Sequence, residues 1–170
     1  SYVSPARKRR IPKHTIDTFL AALERGSPHI DWSQHQERLR TELSPDNAEP
    51  QLRIRWIDLR VRPAAIGHLT WITTLDLGLN PNMVLPAEIS QLTQLRVLDL
   101  AYTHNPALPA EIGQLTNLTF LDLKNTQITG LPDWLRRLTQ LQRLDLAINR
   151  LIFLPDWLGE LRHLQTLNLS

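Results

Sequence analysis

A chain of 170 residues, 42% of them hydrophobic, has enough apolar sequence for one domain with a continuous core. Its net charge of +2 argues against binding to nucleic acid or membranes through bulk charge, and the lack of cysteine excludes disulfides, thiol nucleophiles and thiolate metal sites. No run approaches the roughly 18 apolar residues of a membrane span, and the N-terminal SYVSPARKRR lacks the apolar core of a cleavable signal peptide, so a cytoplasmic or other reducing compartment is expected.

Residues 1–13 read as a basic, flexible tail. Its Arg7 to Arg10 run is either a solvated tail or a phosphate-binding or nuclear-import signal. Residues 14–50 read as a helical cap. Thr15 is placed to cap a helix with the stripe Ile16, Phe19, Leu20 and Leu23, ended by Gly26, and a second helix starts near Asp31 and carries Ile30, Trp32, Leu39 and Leu43 before SPDNAEP breaks it.

The remainder, 51–170, is repetitive. The triplet LDL stands at 75–77, 98–100, 121–123 and 144–146, each copy 23 residues after the last. Frames of that length span 72–94, 95–117, 118–140 and 141–163, with a partial copy at 164–170 and an atypical, shorter first copy at 54–71. Numbering places within a frame, apolar residues recur at 1, 4, 6, 14, 18 and 21. The first group keeps the strand period of two, and the later group keeps spacings of three and four, so each copy predicts a short strand and a helical turn. Place 9 holds Asn80, Thr103, Thr126 and Asn149, short hydrogen-bonding side chains suited to a turn, and place 15 is always proline. A single copy buries too little to offset the entropy of ordering it, so copies must stack into a solenoid with parallel strands along one face.

The segments LTNLTFLDLKNTQITGLPDWLRRL and LTQLQRLDLAINRLIFLPDWLGEL resemble the leucine-rich repeat family, in the 23-residue form found in plant intracellular Ras-group repeat proteins and many bacterial proteins. The resemblance implies an α/β leucine-rich repeat solenoid: parallel strands on the concave face, short helical turns on the convex face, and an N-terminal helical cap. It departs from the pattern at place 9, where Thr103 and Thr126 replace asparagine, and at place 11, where Asn82 and Asn105 replace leucine and looser loops are expected. The helical N-terminal segment and cysteine-free repeats also resemble the repeat domains of bacterial effectors delivered into a host-cell cytosol. The ligase effectors of that group, however, use shorter repeats with two prolines. Leu164, Leu167 and Leu169 close the chain without a cap, which points to a longer protein.

Function is expected on the concave face. Asp58, Asp76, Asp99, Asp122 and Asp145, followed by Asn168, form a column at place 5 spaced by about 4.8 Å, with Arg60, Arg96, Lys124 and Arg143 near enough to interleave. The column is either a solvated strand face or a recognition stripe for a basic partner. Beside it, Trp56, Val97 and Phe120 at place 3 and Val61, Leu79, Tyr102 and Ile148 at place 8 point outward as a contact patch. Trp134 and Trp157 share one place in successive copies and should stack along the convex side. The six histidines are scattered, and no metal set, phosphate loop, serine elbow or acid/base pair is visible, so no metal, cofactor or catalysis is expected of this chain. The expected function is a protein-protein interaction module whose concave residues Trp56, Asp76, Leu79, Asp99, Tyr102, Phe120, Asp122, Lys124, Arg143, Asp145 and Ile148 meet a protein partner. The alternative is the substrate-recognition domain of a larger enzyme whose catalytic domain follows Ser170.

Overall fold

In the computed structural model, the described residues are 13–55, 59, 64–105 and 107–170. Among them, β1 (Gln51–Arg53), β2 (Thr74–Asp76), β3 (Val97–Asp99), β4 (Phe120–Asp122), β5 (Arg143–Asp145) and β6 (Thr166–Asn168) form one parallel sheet in sequence order. The alternation within LDL fixes which side faces the core: the central leucine points inward, and Leu52, Leu75, Leu98, Leu121 and Leu144 are buried in register. Behind them lie the apolar residues of places 1, 6, 18 and 21, buried in every inner repeat.

The first repeat is not short. Aligning IDL of the first copy with LDL of the others starts it at 54, but Leu52 pairs with Leu75 and Arg53 with Asp76, a full 23 residues apart. With that register Leu59, Ile66 and Leu69 take places 11, 18 and 21, and all three are buried. Burial of the whole apolar set decides the register, and the look-alike triplet does not. Arg53 therefore holds the place in the column that the sequence pattern gives to Asp58; Asp58 itself, with Trp56, Arg60 and Val61, lies outside the described residues.

On the convex side every repeat makes one 3-10 turn: Ala64–His68, Ala87–Gln91, Ala110–Gln114, Asp133–Arg137 and Asp156–Glu160. In the last four, the preceding proline is extended, and its carbonyl accepts the first turn's hydrogen bond, as from Ile89 N–H to Pro86 at 3.2 Å and Leu135 N–H to Pro132 at 3.0 Å. Five residues per turn leave no room for an α-helix. At place 11, Asn82 is exposed and the neighbouring Met83 fills the core instead.

The N-terminal segment caps the first repeat. α1 (Lys13–Gly26) buries Phe19, Leu20 and Leu23 and packs against the turn Ala64–His68; it already includes Lys13, so Thr15 sits inside the first turn and does not cap it. The expected second helix is divided. Asp31 caps a 3-10 turn, Trp32–Gln34, and α2 (Gln36–Glu42) follows, burying Leu39. Trp71 of the first repeat ties the two parts together by donating its indole N–H to the Leu43 carbonyl at 2.8 Å.

Candidate functional site: the concave strand face

Each carboxylate of the column ends its strand. The backbone N–H two residues on donates to the near oxygen: Gly78 to Asp76 at 3.1 Å, Ala101 to Asp99 at 2.9 Å, Lys124 to Asp122 at 2.9 Å and Ala147 to Asp145 at 2.9 Å. Asn168 does the same for Ser170 at 3.2 Å. A short side chain that reaches its own backbone two residues on turns the chain out of the strand, which explains an acid between two leucines. The column is not the solvated face of the first expectation. Asp76 is buried, and Asp99, Asp122 and Asp145 are half-buried.

Burial and mutual repulsion load this column. Asp122 is pushed up to about 6 by burial, with the neighbouring Asp99 and Asp145 charges adding to it and the Lys124 N–H opposing it. Asp99 is raised as well, chiefly by burial. At one end the repulsion is relieved. Arg55 reaches along the sheet and places Nη1 3.0 Å from Asp76 Oδ2 and 2.8 Å from Asp99 Oδ2. Gly78 makes the approach possible, because a Cβ there would stand 3.2 Å from both the Arg55 guanidinium carbon and the Ala101 carbonyl.

Of the cations expected to interleave with the acids, Lys124 acts on Asp122 by its charge without reaching ion-pair distance, and Lys124 and Arg143 both lie over rings. Arg143 lies over the Phe120 ring at 4.8 Å, and Lys124 lies over the Tyr102 ring at 5.7 Å. Among the described residues no cation pairs with Asp122 or Asp145. Arg55 is the functional-face residue that sequence reasoning missed, and the 23-residue spacing from Leu52 to Leu75 is the signal that would have found it.

The turn after each strand carries a second feature without a sequence signature. Place 8 adopts the left-handed conformation in four successive repeats: Leu79 (φ 60°), Tyr102 (φ 59°), Asn125 (φ 49°) and Ile148 (φ 53°). Asparagine tolerates this region, whereas a β-branched isoleucine is strained there. The conformation belongs to the repeat, because each place-8 N–H donates to the place-7 carbonyl of the next copy, as Leu79 to Ala101 at 2.8 Å and Ile148 to Ser170 at 2.7 Å; the isoleucine that occupies it is 55% exposed. The face thus brings together Val97, Phe120 and Arg143 in one row, the carboxylates in the next and Leu79, Tyr102 and Ile148 beyond them.

Beneath the face, place 9 satisfies the interior backbone. Asn80 donates to the Ile54 carbonyl at 2.6 Å and the Leu77 carbonyl at 2.9 Å, and accepts from Leu59 N–H at 3.0 Å. The Thr103 and Thr126 hydroxyls donate to the carbonyl three residues back, Leu100 at 2.7 Å and Leu123 at 2.8 Å, and Asn149 Oδ1 of the neighbouring repeat accepts from the Thr126 N–H at 3.1 Å and lies 3.3 Å from its hydroxyl. On the convex side Trp134 is buried and Trp157 half-buried, and no ring contact joins them. Gly113 leaves room for Trp134, whereas Arg136 takes the equivalent place before Trp157 and pairs with Glu160. No helix among the described residues is long and apolar enough to cross a membrane.

Residues 87–170 match the model of the family described as a leucine-rich repeat region. Comparison with curated proteins finds no match. Among solved structures, internalin C2 of Listeria monocytogenes superposes with a TM-score of 0.63 at 22% identity, over 99% of this chain and 71% of its own. A leucine-rich repeat protein of Leptospira interrogans gives 0.54 at 29% identity, over 71% of this chain and 36% of its own. The leucine-rich repeat ectodomain of the Arabidopsis receptor kinase HAESA, solved with an N-terminally extended IDA peptide hormone, gives 0.58 at 31% identity, over 69% of this chain and 21% of its own. The chain thus spans about a third of the Leptospira protein and about a fifth of the HAESA ectodomain. The 23-residue frame, the ordered parallel sheet with one turn per repeat, and these likenesses agree that the chain is a leucine-rich repeat protein.

Proposed function

We propose that this chain works by binding and not by catalysis, holding a protein or peptide partner on its concave strand face. The observation that carries the reading is the row at place 8. Leu79, Tyr102 and Ile148 keep large apolar side chains in a backbone conformation that favours asparagine or glycine, and Ile148 does so in the open. The repeat fixes the turn, but it does not require an exposed isoleucine where asparagine fits with less strain, so the large apolar side chains in this row mark a contact surface. Phe120 and Tyr102 support it: each ring is held by a neighbouring cation, Phe120 on a strand fixed in register and Tyr102 on the turn that follows one, so little ordering cost remains on association. The HAESA structure, with its bound peptide hormone, is a similar solenoid engaged by a ligand of this class. In that receptor kinase the repeats serve a larger enzyme, which favours as a second reading that this face selects a partner for a domain carried elsewhere.

The test uses a partner captured by the purified chain and then measured as purified components. Replacing both Phe120 and Tyr102 by alanine should weaken affinity by about tenfold or more while the melting temperature stays close to that of the parent. Trp134→Ala, buried on the convex side, should lower the melting temperature and leave affinity of the folded protein intact. The reverse pattern, a convex change that abolishes binding while the concave pair has no effect, would place the interface on the other face.

A further inference from the structure

We propose that the concave face receives an extended segment of a partner protein bearing an arginine, whose guanidinium sits between Asp122 and Asp145 while neighbouring apolar side chains lie along Phe120, Tyr102 and Ile148. This deepens the binding role proposed above and rests on it. The chain itself supplies the template. Arg55 bridges the carboxylates of two adjacent strands, Asp76 and Asp99, through a single nitrogen at 3.0 and 2.8 Å. Asp122 and Asp145 repeat that pair in the same register two strands further on, with the same backbone contact fixing one oxygen of each. The place held by Arg55 in the first repeat is held there by Ala101, which cannot reach, and the nearby cations Lys124 and Arg143 are engaged over aromatic rings.

The second pair therefore lacks the bridging cation of the first: the Lys124 charge offsets part of the repulsion at Asp122, but no guanidinium or ammonium of the described residues lies within ion-pair distance of either carboxylate. The far oxygen of Asp145 has only the Asn168 amide, at 3.1 Å, and the far oxygen of Asp122 has no partner among the described residues. A guanidinium suits the gap because Arg55 shows one seated on the equivalent pair, and its planar, fixed donors are less strongly hydrated and lose less freedom there than a rotating ammonium. The rows of rings, carboxylates and strained apolar residues all run across the strands, along the length of the stack. A ligand that follows them is extended, and it meets an apolar row on either side of the acidic one. Charge complementarity thus selects the occupant, and the exposed apolar side chain of Ile148 with the half-buried Tyr102 forms the flanking ridge.

The experiment pans a displayed library of random linear peptides on the intact chain and measures the selected peptides by titration calorimetry. The expected result is a shared arginine with apolar neighbours. Exchanging that arginine for norleucine should weaken binding by about tenfold or more, and the double variant Asp122→Asn, Asp145→Asn should lose a similar factor. Asn168 already makes this turn with asparagine, so the double variant keeps its fold, checked by its melting curve. Selected peptides without a basic residue, or equal affinity for parent and double variant, would overturn the arginine seat. If such peptides still lose affinity on Phe120→Ala, the concave reading stands and only the seat falls. If neither change matters, or no peptide is selected, both fall.

Discussion

Asn168 stands in register with Asp145 and donates its side-chain amide to the Asp145 carboxylate at 3.1 Å. The sixth strand thus shows that asparagine can replace aspartate in the column, keeping the turn through its Oδ1 while turning a repulsion into a hydrogen bond. Asp122→Asn should therefore stabilise the protein. Because the folded protein holds the Asp122 proton up to about pH 6 while the unfolded chain releases it near 3.8, this residue's contribution is most favourable below about pH 4 and is lost as pH rises to 6. The variant should gain on the parent across that window and lead by about 1 kcal/mol at pH 7, after allowance for partial solvent exposure. Urea titrations at pH 4, 5, 6 and 7 check this. A parent as stable as the variant at pH 7 would refute it.

Ile148→Asn should also stabilise. Asn125 holds the same place one repeat earlier at φ 49°, and Ile148 at φ 53° is exposed enough that little burial is lost. Relief of the left-handed conformation is worth about 1 kcal/mol. The melting temperature should rise while affinity for a concave ligand falls, a trade that a purely structural residue would not show. A lower melting temperature means that Ile148 packs more than its exposure suggests.

Much of the fold was legible because repetition multiplies a weak signal. One LDL is uninformative, but four at a constant interval assign strand, turn and buried face together. The same device misled at 54–71, where IDL imitates the triplet and the true register rests on the unremarkable QLR of β1. Of the candidate site, the rows of rings and acids lie where alternation puts them. Their partners were not legible. Which carboxylate Arg55 reaches, and that Lys124 and Arg143 lie over rings without ion-pairing the acids, depend on side-chain reach across neighbouring strands, and the left-handed turns at Leu79 and Ile148 contradict local preference.

Place 9 predicts a graded series. Asn80 is fully buried, and removing its side chain in Asn80→Ala leaves the Leu59 N–H and the Ile54 carbonyl without the partner it supplies, which should cost roughly 2–4 kcal/mol. Thr126→Val removes one hydroxyl donor, but the Leu123 carbonyl still accepts from Asn149 at 2.8 Å, so the cost should be about 1 kcal/mol. Chemical denaturation of the two variants measures the difference. Equal losses would show that the ladder is not what holds these turns.

The convex face makes the last prediction. A methyl added at Gly113 would stand 2.9 Å from the Cβ of Trp134 and 3.1 Å from its carbonyl oxygen, so backbone in the next repeat must move to admit it. Gly113→Ala should cost about 1–3 kcal/mol by overpacking, with a change in Trp134 fluorescence as the turn Asp133–Arg137 shifts. Gly159 holds the same place in the last turn among the described residues, with no following turn among them to pack on it, and has nothing within 4 Å of the added carbon. There the alanine only restricts the unfolded chain, and Gly159→Ala should be neutral or stabilising by up to about 1 kcal/mol. Opposite outcomes from one substitution at equivalent places would show that this glycine is required by the approach of the next repeat. If Gly159→Ala destabilises as much as Gly113→Ala, the requirement is in the 3-10 turn itself, and the close approach of Trp134 is not its cause.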